Sequence, residues 1–259
     1  MPATPLRART AFEVIDAAVH VLRAHYGSFV VISAIASFPT WTAMWFSGWY
    51  TLAANPENIG RLGTLPLFQA QMLLVLLATY LWWTIADCAI VVAASDAYLG
   101  RDVVPARALG VALRNAFPIL GARILKGFAL ILGYLFFFFG ALYMAARYFA
   151  VVPALLLDGT PVMDSFHRSR DLSKDFKWHI LGGLFVGWVI YFVVAYTLGV
   201  VAALFVTSPI VSAVVTAAVY ALVFPLIGIV TTLLYYDQRI RKEGFDLEVM
   251  AQQLVPAAG

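Results

Sequence analysis

Asp87, Lys126 and Arg147 are the residues best placed to do chemistry, because each is charged and each lies deep inside an apolar run. Counted from the nearer charged ends of those runs they fall 10, 9 and 10 residues in. At 1.5 Å per helical residue that is roughly 15 Å, close to the middle of a bilayer. A charge there costs about 2.5–3.5 kcal/mol on insertion scales, so such groups face protein or water and find partners. The expected arrangement is a polar centre in which Asp87 pairs with Arg147, Lys126 or both. Such a centre either fixes helix register as a structural ion pair or lines a path for a substrate or ion. Arg123 and Asp96 lie nearer the ends of their runs, where they are expected to snorkel or hydrate.

Other chemistry is thinly represented. His20, His25, His167 and His179 show no ligand spacing of the H-E-x-x-H kind. Cys88 is the one cysteine, which rules out an internal disulfide and a cysteine-based metal cluster and suits a small packed residue. The chain has no Gly-rich phosphate loop, nucleophile elbow or C-x-x-C motif. Asp158, Asp164, Asp171 and Asp175 are most simply balanced by neighbouring Arg and Lys residues. No catalytic residue, metal or cofactor is therefore expected.

The elements that would position the three charges are membrane spans. Of 259 residues, 63% are hydrophobic and 12% charged, with a mean hydropathy of +0.87. A soluble domain averages about half apolar and about a quarter charged. The net charge of +3 and pI near 9.0 come from cations that lie beside apolar runs rather than in a separate basic domain. That placement points to anionic lipid headgroups rather than nucleic acid. The first apolar run extends from Ser28 to about Leu52, too long and too far in for a signal h-region of about 7–15 residues.

A helical span needs about 20 apolar residues. Six are expected: 28–52, 68–97, 117–139, 141–157, 178–204 and 209–236. The third and fourth are joined by "FFFFGAL", with Gly140 as the turn, and Pro39, Pro118, Pro153 and Pro225 mark kinks or ends. Thirteen of the 17 basic residues flank the even-numbered connections and the two chain ends, whereas the opposite side has Arg61 alone, in the polar stretch Asn55–Pro66. Because cytoplasmic loops retain Lys and Arg, both termini are expected in the cytoplasm of a cell whose inner membrane holds the chain.

"FEVIDAAVHVLRAHYGSF", "VPARALGVALRNAFPIL" and "PVMDSFHRSRDLSKDFKWHIL" precede the odd-numbered spans. In the first, Phe12, Ile15, Val19, Leu22 and Tyr26 recur at helical spacing. The second and third align with Arg107 over Arg168 and Phe117 over Trp178. Each reads as an interfacial amphipathic helix, the third starting at Thr160–Pro161. The fold expected is an all-α polytopic membrane domain of three hairpins, each behind an in-plane helix, in units of about 8–100, 101–158 and 159–237 with a tail at 238–259.

Two further groups arise from that layout. Arg23, Arg107, Arg114, Arg168, Arg170, Arg239, Arg241 and Lys242 are candidate contacts to lipid phosphates. In this reading Tyr235 and Tyr236 form an aromatic belt, and Gly244 stops the helix that carries the last charges out of the membrane. In the fifth span Gly183, Gly187, Ala195 and Gly199 form a small-residue stripe suited to close helix approach. It would receive another span of this chain or, failing that, a second copy.

The tail "YYDQRIRKEGFDLE" and the stretch "VVPALLLDGTPVMDSFHRSRDLSKDFKWHIL" resemble a broad, uncharacterised group of bacterial six-span membrane proteins. That group is similar to the membrane domain attached to some glycerophosphodiester phosphodiesterases. The resemblance spans nearly the whole chain and implies the six-span architecture. It does not extend to the catalytic barrel, which needs about 200 or more further residues. "FHRSRD" at 166–171 lacks the glycine and the downstream acidic ligands of that family's H-R-G motif.

Three classes of function fit: a non-catalytic accessory or scaffold subunit, a transport or lipid-handling protein that uses the polar centre, and an enzyme with interfacial acid–base residues. The last has no catalytic pair to support it. The scaffold is the expected class, with membrane lipids, membrane proteins or a second copy as partners. A cavity reaching Asp87 would favour transport instead.

Overall fold

A computed structural model of the chain describes residues 7–46, 66–205, 211, 215, 218–219 and 221–254. These residues form helices joined by short turns, and among them there is no strand. In chain order the helices are α1 (Ala11–Ala24), α2 (Tyr26–Phe46), α3 (Pro66–Tyr98), α4 (Pro105–Arg114), α5 (Ala116–Tyr134) and α6 (Phe137–Arg147). They continue as α7 (Val151–Leu157), α8 (Val162–Ser173), α9 (Lys177–Phe205), α10 (Pro225–Glu243) and α11 (Phe245–Leu254). Arg61, residues 55–65 and parts of the first and sixth expected spans lie outside the described residues.

Five stretches are long and apolar enough to cross a bilayer: Phe68–Tyr98, Ala116–Tyr134, Phe137–Leu157, Lys177–Ala202 and Ala221–Glu243. The pair Ala11–Ala24 and Tyr26–Ile35, bent by 83°, makes up to a sixth. The protein is thus an all-α polytopic membrane protein. Its spans pair as α2 on α3, α5 on α6 and α9 on α10.

Helix α10 is the centre of the bundle and packs against α1, α3, α8 and α9. Between spans the hydrophobic effect gives little drive, so close packing and polar contacts must hold helices together. Glycines allow that approach. A Cβ on Gly228 would lie 2.6 Å from Ile90 Cγ2, and one on Gly183 would lie 2.9 Å from Leu234 Cδ2. Gly187 meets Val230 in the same way at 3.4 Å, so this half of the stripe receives another span of the same chain. At Gly199 a Cβ would meet nothing within 4 Å among the described residues, and Ala195 is half-buried.

Two breaks shape the run from α5 to α7. Pro153 lacks a backbone donor and its ring clashes with the carbonyl four residues back, which interrupts the span between α6 and α7 at Tyr148–Ala150. Ser169 of α8 bridges that break: its hydroxyl donates to the Arg147 carbonyl (2.9 Å) and accepts from the Ala150 N–H (3.1 Å). The other break corrects an expectation. The α5–α6 turn falls at Leu135–Phe136 and not at Gly140. Gly140 packs inside the hairpin instead, where a Cβ on its partner Gly133 would lie 2.7 Å from the Gly140 carbonyl oxygen. Close helix contact therefore takes the glycine, and Phe137 adopts the left-handed conformation (φ 64°) that a glycine would tolerate better.

Helices α1, α4 and α8 precede α2, α5 and α9. Thr10 caps α1, its hydroxyl accepting from the Glu13 N–H (3.3 Å) while Glu13 accepts from the Thr10 N–H (2.8 Å). The protein-facing side of α1 is Val14, Ala17, Ala18 and Val21, which leaves Phe12 74% exposed. Phe117 and Trp178, in the first turns of the spans α5 and α9, are likewise exposed. Thr160 does not cap α8: Pro161 occupies the cap position and the Thr160 hydroxyl is buried without a hydrogen bond.

Candidate functional site

The basic end of the bundle, where α1, α8 and the last turns of α10 meet, is a dense polar network. Asp158, at the end of α7, accepts from the Tyr235 hydroxyl (2.5 Å), from Arg239 Nη1 (3.2 Å) and from Arg168. Glu243 receives Arg168 in a two-pronged contact of 2.7 and 3.0 Å, with Arg239 Nε at 3.1 Å. Asp237, 2% exposed, accepts from the Arg9 backbone N–H (2.7 Å), Arg241 Nε (2.8 Å) and Gln238 Nε2 (3.1 Å). His179 Nε2 lies 2.9 Å from the same carboxylate. Tyr236 and Ser95 share a hydrogen bond of 2.6 Å.

This geometry corrects the lipid-facing reading of the tail. Tyr235 and Tyr236 are buried rather than set in an aromatic belt, because α10 runs through the bundle's centre and not along its rim. Arg168, Arg239 and Arg241 are engaged by carboxylates, and Lys242 donates to the Asp171 carbonyl (2.7 Å). Arg107 pairs with the buried Asp96 (2.9 Å), which therefore neither hydrates nor snorkels. The exposed Arg170 is close to Asp171 (3.4 Å). Arg23 and Arg114 are exposed and have no ion pair among the described residues. Gly244 does end α10 as expected, left-handed at φ 65° with its N–H donated to the Ile240 carbonyl.

The network shows a regularity. Asp96, Asp158 and Asp237 each stand near the end of an even-numbered span, and each binds an arginine of a short helix or its leader: Arg107, Arg168 and the Arg9 backbone. The alignment of Arg107 with Arg168 is the trace of this in the sequence.

The second polar region lies deeper. A cavity of about 400 Å³ lies among α3, α5, α6, α7, α9 and α10, and Asp87, Arg123 and Lys126 line it. Leu130, Pro153, Trp188 and Ile227 form part of its apolar wall. Asp87 pairs with Arg123, not with Arg147. Direction decided the pairing, and Arg123, expected to snorkel or hydrate, is turned into the bundle toward Asp87 instead. Arg123 and Lys126, three residues apart on α5, share a face with Gly127 and Leu130 and point together at Asp87. Arg147 sits at the α6–α7 break on the other side of α5, with Tyr143 and Tyr148 as its neighbours. Of the expected centre, Asp87 and Lys126 come together and Arg147 does not. The spacing of Arg123 and Lys126 was the missed signal.

The cavity holds spare donors. Lys126 makes no hydrogen bond or ion pair among the described residues, and Arg123 Nε is buried without a partner. Asp87 neutralises one of two cations. Cys88 beside it is fully buried and free. Among the described residues no three His, Cys, Asp or Glu side chains group as metal ligands. Two cations and one carboxylate thus line an otherwise largely apolar pocket.

Comparison of the chain with known protein families, curated proteins and solved structures finds no match.

Proposed function

We propose that this membrane protein binds an amphiphilic organic anion in the central cavity and acts as a transport or lipid-handling protein. One observation carries the reading: Asp87, Arg123 and Lys126 border open volume of about 400 Å³, and the Lys126 ammonium is unengaged there among the described residues. A purely structural ion pair would be closed and matched, since an unpaired intramembrane charge costs stability and returns nothing to the fold. An anion entering the cavity would supply the missing charge while its chain lies against Leu130 and Trp188.

The basic end, with its cluster of Arg and Lys, suits the cytoplasmic side of a cytoplasmic membrane, with α1 and α11 on that side. The resemblance to the membrane domain of glycerophosphodiester phosphodiesterases is likewise proposed, supported by the sequence of the tail and of the stretch at 151–181. The scaffold reading is favoured at one place only. A Cβ on Gly199 would meet nothing within 4 Å among the described residues, which suits a membrane partner or a second copy.

Trp188 in the cavity wall supplies the test. A form retaining Trp188 as its single tryptophan, reconstituted in phosphatidylcholine vesicles, should be quenched by a brominated fatty acid. Lys126→Met should abolish the quenching while leaving the helix content intact. Equal quenching in both forms would sink the reading.

A further inference from the structure

A second cavity, of about 290 Å³, lies on the other side of α5, where α5, the α6–α7 break and α8 meet. Leu125 and Ala129 form one wall and Met163 part of the opposite one. Its polar groups are Arg147, His167 and Arg170, and no carboxylate of the described residues lines it. Arg170 Nε lies 3.4 Å from Asp171, which is exposed and outside the pocket lining.

Arg147 is built into place. Its carbonyl accepts from Ser169 Oγ (2.9 Å) and Ser173 Oγ (3.3 Å), which fixes the backbone at the break. Its guanidinium lies 5.6 Å from the Tyr148 ring centre, and Nη1 reaches the Tyr143 hydroxyl at 3.4 Å. Nε is buried with no hydrogen-bond partner, and no carboxylate among the described residues pairs with the group. A cation fixed by the backbone, short of acceptors and grouped with a second arginine and a histidine is an anion site. Phe128 and Leu132, one turn from Leu125 and Ala129 on α5, are exposed and apolar.

We propose that this pocket holds the phosphate of an anionic membrane phospholipid, its acyl chains lying along α5. Arginine presents a planar fork that matches phosphate oxygens, and basic pockets between spanning helices are suited to lipid headgroups. Met163, exposed on α8 beside the polar groups, covers the glycerol end. The site is separate from the central cavity: Leu125 and Ala129 face it, whereas Arg123 and Lys126 face the other side of the same helix.

The test is native mass spectrometry of the full chain released from nanodiscs of phosphatidylcholine, with and without phosphatidylglycerol. Wild type should retain phosphatidylglycerol in preference to phosphatidylcholine. Arg147→Gln combined with Arg170→Gln should lower that retention about tenfold or more, since hydrogen bonds to a charged phosphate are among the strong ones. Arg170→Gln alone, at an exposed position, should lower it less and keeps the test valid if the double variant fails to fold. Arg147→Lys should restore part of the retention. Wild-type retention in both Gln variants overturns the proposal. Complete displacement by excess glycerol phosphate would assign the pocket to a soluble phosphate and also overturns it. The loss caused by Arg147→Gln with Arg170→Gln should be as large in a Lys126→Met background as in wild type, because Lys126 lines the other cavity. No further loss in that background would place the lipid in the central cavity instead, against the proposal.

Discussion

Asp237 and Asp87 are carboxylates in one bundle, each beside arginine, and they are treated in opposite ways. Asp237 is enclosed by four donor groups, from the residues leading into α1 and from α9 and α10, and is 2% exposed. Asp87 has Arg123 as its partner and faces a cavity in which Lys126 is idle. A carboxylate held by donors from several helices ties those helices together, whereas an ion pair with a spare cation beside open volume is available to something else. The difference separates the part of the molecule that sets the fold from the part that is able to bind.

Breaking the comparison at its stronger end should have the largest effect. Asp237→Asn leaves Arg241 and His179 facing a neutral amide in a buried position, and should cost about 3–5 kcal/mol in mixed-micelle unfolding. Asp87→Asn should cost less, about 1–3 kcal/mol, because Arg123 keeps access to the cavity and whatever enters it. If the two substitutions cost the same, the distinction between the regions fails. Lys126→Met removes a charge that has no partner to lose, so its stability should stay within about 0.5 kcal/mol of wild type or rise.

The smallest effect lies at the rim. The Thr10 N–H and Arg7 beside Glu13 lower the Glu13 carboxyl from its usual 4.5 to about 2. A depressed value means the folded state favours the charged form, so the stabilisation is complete above pH 4.5 and disappears as pH falls toward 2. Glu13→Gln should remove that part of the acid dependence, read as a flatter unfolding midpoint across this pH window. The exposed position keeps the change slight.

Legibility depends on what each signal measures. Long apolar runs mark spans whatever the helices pack against, so α3, α5 and α9 emerge near their expected places. The capping pair Thr10 and Glu13 also carried its own signature, T-x-x-E, though the expected start of α1 did not use it. Gly140 and Thr160 misled for one reason. Each residue type serves two purposes, turn or close contact and cap or buried hydroxyl, and only the neighbours choose between them. The tail's cations misled similarly, since a charge run reads the same against phosphates as against Asp158, Asp237 and Glu243.

The amino-acid order alone determined that this chain is helical, that it crosses a membrane several times, and where along each helix its charges fall. Those properties depend on local spacing and on transfer from water to lipid, which every residue carries with it. The tertiary structure decided which charges meet, because pairing depends on the rotation of each helix about its axis and on the glycines that let helices touch. That rotation placed Arg123 on Asp87, turned Arg147 toward a separate pocket, and left Lys126 beside open space.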